Sequence, residues 1–412
     1  KSSFDLRKAL VHQRETGVLL PVDDIIIGLD IGTTKVCAVI GEVQNGRTIN
    51  VLGVGTASSG DGVKKGAIVD IERTTQAIID AVEEAEKSAD VVIDNIYVGI
   101  AGAHICSMNS QGIVAIKGNN QEITSEDIDR AVENAKTAVS IPPHQDIIHI
   151  LPREFVVDEQ KDINNPLGMV GGRLEAQVHI VTGAVTAMQN IMKCCEMAKL
   201  KVEDVVLQQY ASSMAVVSEG EKKLGGVLGD IGGGATDLII FTNDLAVGLK
   251  TSTQAAEELK ISHGAAYSEL ADSHLTIEVP VAGGERTKPF QQTFLVEIIE
   301  PRMEEIFYEV KKQIEKHVSL DVIPAGVVLT GGTSLMSGCP ELAEEILDLP
   351  VRRGAPIDVI GLHEQVRKPQ YSTALGLIRY GAQNYRAPTR ESGALNGIIE
   401  RIQSWLRKFF TD

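Results

Sequence analysis

Two carboxylates set beside glycine-rich turns are the residues of this chain best suited to chemistry. Residues 228–241 read Leu-Gly-Asp-Ile-Gly-Gly-Gly-Ala-Thr-Asp-Leu-Ile-Ile-Phe. Asp230 and Asp237 bracket Gly232, Gly233 and Gly234, with short apolar runs on either side. Apolar runs of this length, bounded by turn residues, read as buried strands. Glycines between them make a turn that needs positive φ, or a place where a ligand comes close. Successive backbone N–H groups in such a turn form a concavity for anions. A carboxylate beside a phosphate is useful through a shared cation, and Mg2+ is the natural one. Taken alone, the stretch reads equally well as a hairpin with a glycine bulge.

A second copy decides between these readings. Residues 29–41 read Leu-Asp-Ile-Gly-Thr-Thr-Lys-Val-Cys-Ala-Val-Ile-Gly, preceded by three isoleucines. Asp30 and Asp230 stand 200 positions apart. Internal repetition means two similar units, and two phosphate-gripping hairpins can close on one polyphosphate from opposite sides. A third glycine turn, Gly331-Gly332-Thr333, follows the apolar run at 325–330 and feeds a helix at 339–347. Strands that end in glycines and feed helices are where open α/β sheets bind nucleotides. Glu257 and Lys260 share one face of a helix predicted at 253–263. By itself such a pair reads as a solvated ion pair worth under about 1 kcal/mol.

The elements that must position these turns follow from length and pattern. The chain has 412 residues, 43% hydrophobic and 23% charged, enough for at least two globular domains. Its net charge of −17 argues against nucleic acid as the main partner, because phosphate backbones demand clustered Lys and Arg. The five cysteines make no C-x-x-C pair and fit a reducing cytoplasm. There is no run of about 18 uncharged apolar residues to span a membrane as one helix. Residues 1–24 read as an extension with no secretory-signal pattern and a short helix near 4–13. The start at Lys1 is expected to reflect initiator removal or truncation.

In chain order, residues 25–54 are predicted to give a strand, a turn, a strand and a third strand at 49–54, followed by a helix at 74–88 and a buried strand at 95–101. Residues 105–117 read as a hairpin, and Thr124-Ser-Glu-Asp127 as a helix start with acids in its first turn. That helix stops at Pro142-Pro143, and a strand follows at 147–158. This small α+β segment carries no spacing that points to catalysis and reads as an interaction module. Residues 177–182 are expected to resume the first unit. A helix at 188–198, a strand at 202–207 and a helix at 210–219 come next. The second unit opens at Gly226, with further helices at 253–263, 302–316, 339–347 and 371–380.

Asp30-Ile-Gly-Thr-Thr-Lys35, Asp230-Ile-Gly-Gly-Gly-Ala-Thr-Asp237 and Leu329-Thr-Gly-Gly-Thr333 resemble, in order, the two phosphate motifs and the adenosine motif of the superfamily of actin, heat-shock chaperones and sugar kinases. Within it, the placement of the insert, Ile299-Glu-Pro-Arg302 and Tyr371-Ser-Thr-Ala-Leu-Gly376 are similar to the FtsA family of bacterial cell-division proteins. The resemblance runs from about residue 24 to the C-terminus. It implies an α/β, two-lobed actin-like ATPase fold with a small α+β insert and a C-terminal amphipathic helix. The implied subdomains are 1A at 24–93 and 177–225, 1C at 94–176, 2A at 226–254 and 321–384, and 2B at 255–320.

The resemblance also implies ATP in the interlobe cleft, filaments of the chain with itself, attachment of FtsZ, and later divisome proteins on the insert. The implied location is the cytoplasmic face of the inner membrane at the septum. By the same resemblance Gly32, Thr33, Thr34, Lys35, Gly232, Gly233, Gly234 and Thr236 would meet phosphates. Asp30 and Asp230 would hold Mg2+ through waters. Glu257, Lys260, Gly331, Gly332 and Thr333 would face the ribose and adenine. No residue stands out as a general base, so ATP binding with at most slow hydrolysis is expected. After Phe241 the family's return strand and Gly-Gly turn are absent, and Thr242 runs straight into Asn243. A strand without its return partner leaves edge N–H groups open, so residues are expected to be missing from the numbered chain at that point.

The C-terminal segment supplies a different chemistry. Residues 385–393 are polar and breaker-rich, a linker. In residues 394–412, Leu395, Ile398, Ile399, Ile402, Trp405, Leu406, Phe409 and Phe410 recur three or four apart, with Arg401, Arg407 and Lys408 on the other face. Apolar and aromatic on one side and basic on the other is the pattern of an interfacial helix on anionic lipid. Such an anchor is weak alone and is multiplied by many copies in a filament. Three alternatives share parts of this pattern. A small-molecule kinase needs a catalytic base and a small-molecule pocket, and a heat-shock chaperone needs a peptide-binding domain after the ATPase. A PilM-like pilus scaffold has a similar insert but an inner-membrane peptide rather than lipid as its family's partner, so the tail helix argues against it.

Overall fold

The computed structural model describes residues 25–44, 48–117, 121–224, 226–231, 253–280, 286–317 and 323–384, together with Leu249 and Thr251. The first lobe opens on the antiparallel meander β1 (Ile25–Ile31), β2 (Lys35–Gln44) and β3 (Thr48–Ser58). A small hairpin, β4 (Val63–Lys64) and β5 (Ala67–Ile68), leads into α1 (Ile71–Ala89). Asp70 caps α1 by accepting from the Arg73 N–H, and Asp90 ends it in the left-handed region. The apolar face Ala77, Ile78, Ala81, Val82 and Ala85 is buried, as its helical spacing requires. Strand β6 (Asn95–Ile100) returns parallel to β1.

The insert follows: β7 (Cys106–Ala115), α2 (Ser125–Thr137), β8 (Gln145–Val157), β9 (Gln160–Ile163) and β10 (Arg173–Ala184). Its sheet runs β7-β10-β8-β9, antiparallel throughout. Helix α2 starts in a full capping box between Thr124 and Asp127. Ile128, Ala131, Val132 and Ala135 of α2 share a core with Phe155, Val178 and Ile180. Three expectations are corrected here. Residues 106–115 are one strand, not a hairpin, because their partner is β10, far along the chain. Residues 173–184 are the insert's central strand rather than the first lobe resuming. The insert does not begin at residue 94, since β6 lies in the first-lobe sheet between β1 and the strand described next.

Helix α3 (Val185–Met197) leads to β11 (Lys201–Leu207), parallel to β6, and then without a break to α4 (Gln208–Val216) and the short α5 (Glu219–Leu224). The second lobe contains β12 (Val227–Asp230), α6 (Thr253–His263), the hairpin β13 (Thr276–Pro280) and β14 (Thr287–Gln291), and α7 (Gln292–His317). It continues with β15 (Val327–Thr330), α8 (Cys339–Leu347) and β16 (Val351–Arg353). Strands β12, β15 and β16 form a parallel sheet in that order. Helix α7 runs through Pro301 and starts ten residues ahead of the predicted 302.

The chain then crosses back. Strand β17 (Val359–Gly361) pairs with β3, completing the six-stranded sheet β11-β6-β1-β2-β3-β17, and α9 (His363–Val366) precedes α10 (Ser372–Asn384). Helix α10 packs on β1, β2 and α4. The expected assignment of 321–384 to the second lobe is therefore corrected: its last stretch belongs to the first-lobe sheet and its covering layer. One face of that sheet is covered by α1 and α3, and the other by α4 and α10. Val328 and Leu228 of the second lobe reach this latter core, so the lobes meet over α4 and α10.

Residues 1–24, the turn with Gly232, Gly233, Gly234 and Thr236, the Thr242–Asn243 link, the linker and the segment from Leu395 to Phe410 lie outside the described residues. Among the described residues no helix is long and apolar enough to cross a membrane.

Candidate functional site

The first glycine turn joins β1 to β2. The Gly32 N–H donates to Lys35 O at 3.0 Å and closes it. Its shape is fixed from outside: Ser59 Oγ donates to Gly32 O (2.7 Å) and the Ser59 N–H to Thr34 O (3.2 Å). The Gly66 N–H donates to Thr33 Oγ1 (3.2 Å), leaving the Thr33 hydroxyl proton for another acceptor. Lys35 Nζ stands 4.3 Å from the centroid of the Tyr371 ring, a cation–π contact.

Helix α4 ties this turn to the second lobe. Gln208 Nε2 donates to Asp30 Oδ1 at 2.9 Å, and Ser212 Oγ donates to Asp230 Oδ2 at 2.6 Å. Gln208 and Ser212 are four residues apart on one helix, so they share a face about 6 Å apart along its axis. Asp30, from the first lobe, and Asp230, from the second, are thereby drawn into one cleft. Burial pushes the Asp30 carboxyl up to about 7, with Lys35 opposing the rise and Asp230 adding to it. Burial raises Asp230 too, against the Ser212 hydrogen bond. Two desolvated carboxylates that repel each other ask for a cation between them.

The donor set fits Mg2+ in one particular way. Carboxylate and amide oxygens are hard ligands, as Mg2+ prefers. Among the described residues no group of three or more His, Cys, Asp or Glu side chains forms a cage. A cation here would therefore complete its shell with water and phosphate oxygens, the usual habit of Mg2+.

The third turn abuts the second carboxylate. Gly331 adopts φ 84°, ψ 169°, a region essentially reserved for glycine. A Cβ on it would lie 2.5 Å from Ile231 O and 2.7 Å from Asp230 Oδ1. Among the described residues a Cβ on Gly332 would meet nothing within 4 Å, so it borders open space there. The Thr333 N–H donates to Ile231 O at 3.3 Å, stitching the turn to the end of β12. The segment that follows α6 pairs with the chain just past this turn, where the Ala266 N–H donates to Ser337 O at 2.7 Å. On α6, Lys260 Nζ donates to Glu257 Oε2 at 2.6 Å, and the Lys260 side chain is only 4% exposed. The pair is thus not a solvated surface bridge. Burial holds the Lys260 amine below the ordinary lysine value, with Glu257 opposing.

Of the residues expected from sequence, the structure brings Asp30, Gly32, Thr33, Lys35, Asp230 and Gly331 together. Gly332 and Thr333 follow directly on the third turn. Sequence reading missed Gln208, Ser212, Ser59 and Tyr371. The signal for the first two was present: a Gln and a Ser four apart at the start of a helix that leaves a buried strand.

Comparison with known proteins accords with this geometry. A family model for "Cell division protein FtsA" matches residues 227–376, and one for "SHS2 domain inserted in FTSA" matches residues 102–182. Cell division protein FtsA of Pseudomonas aeruginosa is 44% identical over 415 residues, covering 94% of this chain and 98% of that protein. The protein of the same name from Neisseria meningitidis is 42% identical, covering 93% of this chain and 98% of its own length. That of Bacillus subtilis is 36% identical, covering 90% and 86%. Among solved structures, a chain of the PilM-PilN type IV pilus biogenesis complex matches with a TM-score of 0.61 at 17% identity. It covers 87% of this chain and 98% of that one, a likeness of fold.

Proposed function

The chain belongs to the FtsA family of cell-division proteins, with the two-lobed actin-like fold, and from that premise we propose how it works. It binds ATP with Mg2+ between its lobes, polymerises on the inner membrane and anchors FtsZ filaments at the septum. The observation that carries the nucleotide part is the pair Asp30 and Asp230, held by Gln208 and Ser212 on one face of α4. When bound, Mg2+ would balance the charge of the two carboxylates and the phosphates. Gly32, Thr33, Thr34 and Lys35 grip phosphate from the first lobe, and Gly232, Gly233, Gly234 and Thr236 from the second. Gly331, Gly332 and Thr333 lie along the nucleoside, with Glu257 and Lys260 beside it. Hydrolysis is slow at most.

The remaining assignments rest on sequence and kinship. The segment with Leu395, Ile398, Ile399, Ile402, Trp405, Leu406, Phe409 and Phe410 lies in the membrane interface on the cytoplasmic side, held by apolar burial and by basic residues against anionic lipid. FtsZ meets the subdomain at about 255–320, and later divisome proteins meet the insert. Self-association into filaments raises the avidity of every weak tail.

Two measurements test this. Binding of a fluorescent ATP analogue to the full chain should require Mg2+ and should fall at least about tenfold in Asp230→Asn, the loss expected for one charged contact. Mg2+-independent binding, or none, would overturn the cleft. Deleting residues 395–412 should release the protein from anionic vesicles while leaving nucleotide binding intact. Undiminished co-sedimentation would overturn the anchor.

A further inference from the structure

Three consecutive residues, Tyr371 just ahead of α10 and Ser372 and Thr373 in its first turn, each touch a different residue that shapes the cleft: Lys35, Thr330 and Ser212. The Tyr371 ring lies under Lys35 of the first turn, 4.3 Å from its ammonium. Ser372, 1% exposed, places Oγ 2.7 Å from Thr330 Oγ1, directly ahead of Gly331. Thr373 places Oγ1 3.0 Å from Ser212 Oγ, whose own partner is Asp230.

The direction of these bonds follows from counting protons. A serine hydroxyl has one proton to give. With Asp230 ionised, Ser212 gives its proton to that carboxylate, so Thr373 donates to Ser212. Thr330 Oγ1 lies 3.1 Å from Gly354 O and 3.3 Å from Pro369 O and spends its proton on a carbonyl. Ser372 therefore donates to Thr330. The relay Thr373 to Ser212 to Asp230 fixes one carboxylate oxygen, and Ser372 fixes the strand end that turns at Gly331.

The reach of these short side chains depends on close backbone packing. A Cβ on Gly376 would lie 1.8 Å from Ala211 O, so α10 and α4 meet with no side chain between them. Arg379 donates to Met214 O at 2.8 Å, and Tyr380 donates to Asp204 Oδ2 at 2.8 Å. Helix α10 is thereby fixed along the length of α4, the helix that carries Gln208 and Ser212.

We propose that Tyr371, Ser372 and Thr373 are positioning residues for the nucleotide cleft, locking the first turn, the end of β15 and the Asp230 carboxylate at the end of β12 into one geometry from the start of α10. The proposal rests on the reading of the cleft as a site for Mg2+ and a nucleoside triphosphate. Thr373 acts through Asp230, so it governs the Mg2+-dependent part of binding. Tyr371 acts through Lys35, so it governs phosphate affinity with or without Mg2+.

The test uses the full chain and a fluorescent ATP analogue, titrated with Mg2+ and with a chelator. Thr373→Val, which keeps the shape and removes the hydroxyl, should weaken Mg2+-dependent binding about tenfold, as for a lost hydrogen bond near a charge. It should change chelator-condition binding by less than about twofold, and Thr373→Ser should restore the wild-type value. Tyr371→Leu should weaken binding about threefold in both conditions, as for a lost cation–π contact, and Tyr371→Phe should restore it. Because Tyr371 is only half-buried, this second pair reads the proposal even where Thr373→Val fails to fold. Wild-type affinity in both Thr373→Val and Tyr371→Leu overturns the proposal alone, and so does failure of Thr373→Ser to rescue. Absence of any nucleotide binding by the wild-type chain overturns it together with the cleft.

Discussion

Gly331 and Gly332 are neighbours with opposite demands, and substituting each by alanine separates backbone geometry from ligand contact. At Gly331 an alanine must hold φ 84°, ψ 169°, a strain of about 1–3 kcal/mol for any residue with a Cβ. Its Cβ would also sit 2.5 Å from Ile231 O and 2.7 Å from Asp230 Oδ1, closer than non-bonded atoms approach. Asp230 cannot simply turn away, because Ser212 holds its other oxygen. Gly331→Ala should therefore cost about 2–4 kcal/mol, in the upper range of single substitutions, and should weaken nucleotide binding as well. At Gly332 the added methyl meets nothing within 4 Å among the described residues. Gly332→Ala should stay within about 0.5 kcal/mol of wild type in urea unfolding, yet lose nucleotide affinity because its methyl enters the cleft. Urea denaturation, followed separately in each lobe, and titration with a fluorescent ATP analogue read the two quantities. A Gly331→Ala protein of wild-type stability would refute the steric argument. A Gly332→Ala protein of wild-type affinity would refute the assignment of the open space to ligand.

Two further outcomes follow from contacts around α4. Glu221 takes a bidentate pair from Arg352 (2.6 and 2.8 Å), which also donates to Val216 O at the end of α4. The Arg352 hydrogen bonds hold its carboxyl down to about 2 from the ordinary 4.5, a depressed folded value. The stabilisation is thus present above pH 4.5 and lost as pH falls toward 2. Glu221→Gln should lower stability at neutral pH by about 1–3 kcal/mol and flatten acid unfolding in that window, read by circular dichroism against pH. Gly376→Ala, with its Cβ 1.8 Å from Ala211 O, must prise α10 from α4. It should cost at least about 3 kcal/mol and reduce nucleotide affinity, whereas Gly60→Ala, with no atom within 4 Å, should leave affinity unchanged.

What could be read from sequence was what is local. The first Asp-Ile-Gly turn, the helix 339–347 and the helix 253–263 are set by residues a few positions apart; the turn joins β1 to β2 as expected, and the two helices coincide with α8 and α6. Pairing is not local. Nothing within residues 105–117 says that their partner is β10, some seventy residues on, so a lone strand read as a hairpin. The helix expected from 302 starts at Gln292, although Pro301 within it removes one helical hydrogen bond. Leu295 and Ile299 before it and Met303, Ile306 and Phe307 after it all bury into one core, which outweighs that loss.

The site shows the same division. Asp30, Asp230 and the glycines were legible because each turn carries its own chemistry. Gln208 and Ser212 carried only their spacing at a helix start as a signal, and Thr373 carried none, because the meaning of all three comes from which residue they face. Thr373 reads as an ordinary helix residue until α10 is seen to cross back from the second lobe onto α4. That crossing gives the fold its logic. A cleft made of turns from two lobes has no reason to keep one shape unless some element contacts both lobes at once. Helix α4 does so through Gln208 and Ser212, and the start of α10 does so through Ser372 and Tyr371, the residue just ahead of it.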